Sequence, residues 1–206
     1  MHLKNIVTAG KPLKEAGKAL IMLHGRGAGA DDILSLAVHL NVTDFALLAP
    51  QATNSTWYPH SFLVPAEQNQ PWLGSALVLV KDLVQDVKAQ GIDTENIYLL
   101  GFSQGACLAL EFTARFATRY GGVIALTGGL IGKDIDRTNY SGDFDGSPVF
   151  IGTGNRDPHV PLERVNESAG ILEEMNARVT LQVYEGKPHN VSQEEIEEVN
   201  RIFFKT

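Results

Sequence analysis

The chain has 206 residues, 44% of them hydrophobic, which is enough for one well-packed domain and short for two. Its 24 acidic and 17 basic side chains leave a formal net charge of −7 and no Lys/Arg cluster, which argues against a phosphate-backbone binder. The one cysteine, Cys107, rules out an intramolecular disulfide and makes a reducing, cytoplasmic setting the default.

In chain order, the N-terminal MHLKNIVTAGKPLKEAG has no signal-peptide core. Residues 19–23 (ALIML) read as a strand, far too short to span a bilayer, so no membrane insertion is expected. Residues 31–40 (DDILSLAVHL) read as a helix with acidic residues at its start, and 45–49 (FALLA) as a strand. Leu73, Ala76, Leu77, Val80, Leu83, Val84 and Val87 recur at three- and four-residue steps, one face of a helix. Strands then follow at 97–100, 123–126, 149–153 and 180–184, with helices at 104–119, 162–175 and 192–205. The last helix opens on a capping box, Ser192 with Glu195. Strands that are apolar on both faces and alternate with helices predict an α/β fold, a mainly parallel sheet covered on both sides. The functional loops of such sheets lie beyond the C-terminal strand ends. Two long connections, 50–70 and 127–147, interrupt the alternation, and the first carries Trp57, Tyr58 and Phe62.

Between the strand at 97–100 and the helix from 104 lies Gly101-Phe102-Ser103-Gln104-Gly105. G-x-S-x-G in that context is the pattern of a nucleophile elbow, a turn so sharp that the serine hydroxyl projects above the sheet. A serine needs a base, and the base an orienting acid, both later in the chain and each just past a strand. Asp157 follows the strand 149–153 on the required edge, whereas Asp143 and Asp145 precede it and Asp134 and Asp136 have no delivering strand. His189 follows the strand 180–184 in the same way. His2 and His39 have no such strand, and His159 would have to fold back on Asp157. The glycine-rich turn His24-Gly25-Arg26-Gly27 can present the backbone N–H of Arg26 to an oxyanion, with that of Gln104 as second donor. It lacks the Lys-Ser/Thr ending of a phosphate loop and the spacing of a dinucleotide fingerprint. Trp57, Tyr58, His60 and Phe62 are expected to line the pocket, and Cys107 to pack in the core.

The segments LHGRGA, GFSQGA, PVFIGTGNRDPHVP and YEGKPHNVSQEEI, spread over nearly the whole chain, resemble the small carboxylesterase/lysophospholipase family that includes the acyl-protein thioesterases. The resemblance implies an α/β-hydrolase fold without a large cap, with 1–206 as a single domain. It implies Ser103 as nucleophile, Asp157 as acid and His189 as base, with the N–H groups of Arg26 and Gln104 as oxyanion hole. It implies cleavage of carboxylic esters or thioesters through an acyl-Ser103 intermediate, and the large side chains of the 50–70 loop, with no cap domain to roof a deep channel, point to small or short-acyl substrates. No cofactor, metal or nucleic acid is called for, and a homodimer is compatible with it. The alternatives are a lactone hydrolase of the dienelactone type, against which the serine at the elbow counts, and a non-catalytic ligand sensor. Arg26 departs from the family, whose better-known members carry an apolar residue there, and its side chain is a candidate contact for an anionic substrate.

Overall fold

The computed structural model describes residues 1–205. Seven strands form one sheet: β1 (Ile6–Gly10), β2 (Lys18–Leu23), β3 (Phe45–Pro50), β4 (Ile97–Phe102), β5 (Gly122–Leu126), β6 (Pro148–Gly154) and β7 (Arg178–Tyr184). Their order is β1-β3-β2-β4-β5-β6-β7, with β1 antiparallel to β3 and every other pairing parallel. The helices are α1 (Ala30–Leu34), α2 (Trp72–Ala89), α3 (Gln104–Arg115), α4 (Leu162–Glu174) and α5 (Gln193–Phe203).

The doubly apolar strands are explained by two cores, one on each face of the sheet. Ala19, Ile21 and Leu23 of β2, with Ile97 and Leu99 of β4, pack towards α2, α3 and α4. The alternate residues Leu20, Met22, Tyr98 and Leu100 pack towards α1 and α5. The strand order reverses between β2 and β4, and the chain leaves β2 towards one face and β4 towards the other. A crevice at such a switch point is where open α/β sheets bind ligands. Both the elbow after β4 and the glycine-rich turn after β2 open onto it.

Three details depart from expectation. The edge strand β1 was not expected, because only Ile6 and Val7 of its five residues are even partly buried, too short an alternation to read. The helix expected over 31–40 is α-helical only to Leu34 and continues as a 3-10 turn, Ser35–His39. There the Ser35 hydroxyl donates to the Asp32 carbonyl at 2.6 Å, a local bond that competes with the helical ladder. Finally, α3 stops at Arg115 rather than 119, because Ala117 pairs with the long 127–147 connection: its N–H donates to Ser141 O at 3.0 Å.

Candidate active site

Ser103 follows β4 with φ 54° and ψ −116°, a left-handed conformation that a residue with a Cβ adopts only under strain. Its N–H donates to Leu126 O at 3.0 Å, pinning the turn to the end of β5. The flanking glycines are steric requirements: a Cβ on Gly101 would overlap the Gly105 carbonyl, and one on Gly105 would overlap the backbone of Leu23 and His24. The turn is therefore wedged between β2 and its own helix.

The loops after β6 and β7 converge on this serine. His189 Nε2 lies 2.7 Å from Ser103 Oγ, and His189 Nδ1 lies 2.6 Å from Asp157 Oδ2. The other Asp157 oxygen accepts the N–H groups of His159, at 2.8 Å, and Val160, at 2.9 Å. Burial works to raise the Asp157 pKa, but the His189 hydrogen bond and these two N–H groups outweigh it and hold the carboxyl below its ordinary value. The arrangement can keep the aspartate ionised, fix the imidazole with Nδ1–H facing it, and leave Nε2 to accept the serine proton.

Two residues before His189, Lys187 is buried against Glu195 of α5, Nζ to Oε2 3.0 Å, with side-chain exposures of 4% and 0%. The same ammonium donates to Asn190 O at 2.6 Å and lies 3.3 Å from Thr127 Oγ1. Glu195 Oε2 also accepts the Ser192 N–H at 2.9 Å, closing the capping box of α5. Burial raises the Glu195 pKa even though Lys187 works against it. The capping box was legible in the sequence. The ion pair was not, since Lys187 sits in a loop with no periodic signal.

On the other side of the serine, the N–H groups of Arg26 and Gln104 have no backbone acceptor among the described residues. Their side chains hold the loop 56–60. Gln104 Oε1 accepts the Trp57 N–H at 2.9 Å, and its Nε2 donates to Tyr58 O at 2.8 Å. Arg26 Nη1 donates to Thr56 Oγ1 at 3.0 Å and Pro59 O at 2.9 Å, and Nη2 donates to His60 O at 2.7 Å. Asn69 completes the clamp, accepting the His60 N–H and donating to Ser61 O. His24, fully buried below, accepts the Ala52 N–H on Nε2 and faces Gly25 O with Nδ1, the pattern of a neutral ring, and burial lowers its pKa.

A cavity of about 460 Å³ opens beside Ser103 and His189. Tyr58, His60, Phe62, Arg26 and Gln104 all line it, as does His159, which sequence reasoning set aside. The His159 ring packs edge-on against His189 with centroids 4.8 Å apart. Cys107, in the core as expected, also reaches the cavity floor, and burial pushes its thiol pKa up to about 12. Trp57 requires a correction: it is fully buried and does not border the cavity. Its ring packs on His24, centroids 4.9 Å apart, and its Nε1–H donates to His24 O at 2.8 Å. Its neighbour Tyr58, buried in the same core, is the one of the two that borders the cavity.

A mainly parallel, doubly covered sheet with a strained serine at its switch point and a histidine loop after the last strand defines an α/β-hydrolase fold. A family model described as phospholipase/carboxylesterase matches residues 4–205, and the chain belongs to that family. A crystal structure of a phospholipase/carboxylesterase from Dyadobacter fermentans is 56% identical, superposes with a TM-score of 0.98, and is covered over 98% of its length by 99% of this chain. Acyl-protein thioesterase 1 of Kluyveromyces lactis is 32% identical over 135 residues, 64% of this chain and 59% of that protein. The enzyme of the same name from Yarrowia lipolytica is 27% identical over 208 residues, 91% of this chain and 92% of that one. The match to the Kluyveromyces protein thus spans about three-fifths of that relative's length.

Proposed function

We propose that this chain is a serine hydrolase that cleaves small carboxylic esters or thioesters through an acyl-Ser103 intermediate. The observation that carries the reading is the hydrogen-bonded relay from the strained serine, Oγ to Nε2 at 2.7 Å and Nδ1 to Oδ2 at 2.6 Å. Ser103 Oγ attacks the carbonyl carbon while His189 Nε2 takes its proton, and the ionised Asp157 stabilises the imidazolium that forms. The carbonyl oxygen becomes an oxyanion that accepts from the N–H groups of Arg26 and Gln104, the second at the positive end of α3. His189 then protonates the departing alcohol or thiol. Water, deprotonated by the same histidine, attacks the acyl-serine and releases the acid.

The lining of the cavity supports short acyl groups. Buried Tyr58, Phe62 and Cys107 close its floor, and among the described residues no inserted cap domain roofs a longer channel. We read the described residues as one catalytic domain working in the cytoplasm. No described helix is long and apolar enough to cross a membrane.

The test is turnover of p-nitrophenyl butyrate and palmitate by the wild type and by Ser103→Ala. Butyrate should be the faster substrate, and the variant should lose about four to six orders of magnitude in kcat while remaining folded. A fluorophosphonate should label the wild type once, at Ser103. Wild-type turnover in the variant would refute the nucleophile, and faster cleavage of palmitate would refute the short-acyl reading.

A further inference from the structure

The rim and the floor of the cavity differ in kind. Tyr58, Phe62 and Cys107 of the floor are buried, whereas Arg26, His60 and His159 at the rim are exposed. No Asp or Glu lines the cavity, and Arg26 is its only Lys or Arg, in a chain whose net charge is −7. The carboxylates nearby are already engaged. Asp157 is bound to His189 and two N–H groups, and Glu111 pairs with Arg115 at 2.7 Å and accepts from Ile131 N and Tyr140 Oη.

The guanidinium of Arg26 is not a loose surface cation. Three donated hydrogen bonds fix its plane, and all three go to neutral oxygens: the Thr56 hydroxyl and the Pro59 and His60 carbonyls. No carboxylate lies within ion-pair distance of it among the described residues. Neutral acceptors orient the group without cancelling its charge. Nε–H and one N–H of Nη2 are left over, since five donors face three acceptors. A cation held in place beforehand loses little freedom when an anion arrives. Arg26 lines the same cavity as Ser103, and Pro59 and His60, the residues whose carbonyls its guanidinium holds, line that cavity too.

We propose that Arg26 is a specificity residue for esters that carry a second, ionised acid group, with the apolar segment on the buried floor and the anion at the rim. This rests on the hydrolase reading above and refines its substrate class to a small ester bearing a carboxylate.

Monomethyl glutarate and methyl valerate, which differ in a terminal carboxylate against a methyl, provide the test when hydrolysis is followed by pH-stat. The wild type should favour the anionic ester in kcat/KM by about tenfold or more, the effect of one charge-assisted contact. Added salt should reduce that preference. Arg26→Gln should cut the ratio about tenfold. Arg26→Lys, which keeps the charge but loses the fork to the loop, should lower both rates yet retain most of the ratio. Equal losses on both esters in Arg26→Gln would make Arg26 a loop brace only and overturn the proposal. A wild type that cleaves methyl valerate at least as well as monomethyl glutarate would overturn it too, leaving the hydrolase reading intact. Inactivity on both esters would sink both.

Discussion

Two loops flank the cavity, and they are held by different forces. The segment 56–60 is fastened by hydrogen bonds donated by Arg26 and Gln104 and accepted by Gln104 and Asn69, with its Trp57 buried in the core. The segment around His189 is fastened by a buried ion pair, Lys187 with Glu195, that also reaches Asn190 and Thr127. The bonds made by Gln104 and Asn69 contribute about 1 kcal/mol each and those from the exposed Arg26 guanidinium somewhat more, and each can be lost singly. A buried charge is different: removing one partner strands the other and costs about 3–5 kcal/mol. The loop that carries the proposed base is thus held in an all-or-none way, and the loop that shapes the pocket in graded fashion.

Lys187→Met should have the largest effect, a loss of roughly 3–5 kcal/mol of stability together with a large fall in kcat and little change in KM. Lys187→Met combined with Glu195→Gln leaves no stranded charge and keeps an acceptor for the Ser192 N–H, so denaturant unfolding should show stability largely restored. The kcat should stay low, because Asn190 O and Thr127 Oγ1 still lack their donor. A double variant that recovers both would reduce the pair to a stability element.

Next in size is Gln104→Ala, which leaves the buried Trp57 N–H without its acceptor and should cost about 1–3 kcal/mol. Steady-state kinetics should show KM rising more than kcat falls. A pure kcat defect would mean that the 56–60 loop positions the reacting groups as well.

On the His189 side, two buried carboxylates should answer to pH with opposite signs. Asp157 has a lowered pKa in the folded chain, so its contribution to stability is present above the ordinary carboxylate range and is lost as pH falls through the folded value. Asp157→Asn should flatten that acid limb in thermal melts. Glu195 has the opposite sign: its folded pKa is raised, so folding favours its protonated form. The deficit of Lys187→Met relative to wild type should therefore shrink on acidification. A deficit that grows instead would show that Glu195 is not the stranded group.

The smallest effect is expected for Trp57→Phe, which loses one hydrogen bond to His24 O and should cost about 1 kcal/mol with little change in ester turnover. A large change in KM would return Trp57 to the pocket wall, contrary to its burial.

What was legible in the sequence shares a physical origin. The elbow, the strands at 97–100, 149–153 and 180–184, and the positions of Ser103, Asp157 and His189 just past strand ends all follow from patterns within a few residues. Apolar runs define buried strands, and glycines at 101 and 105 answer a steric demand inside one strand-turn-helix unit. The parallel sheet with helices on both faces follows from the same alternation. Tertiary structure alone decided the rest: that Trp57 packs on His24 while Tyr58 borders the cavity, that Gln104 and Arg26 bind a loop some thirty to fifty residues away, that His159 packs edge-on against His189, and that Lys187 finds Glu195. Each of these is a contact between residues on different segments of the chain, set by strand register and by which way a loop rolls over the sheet edge. No local periodicity records that choice, because the free energy that makes it arises only when the two elements have already met.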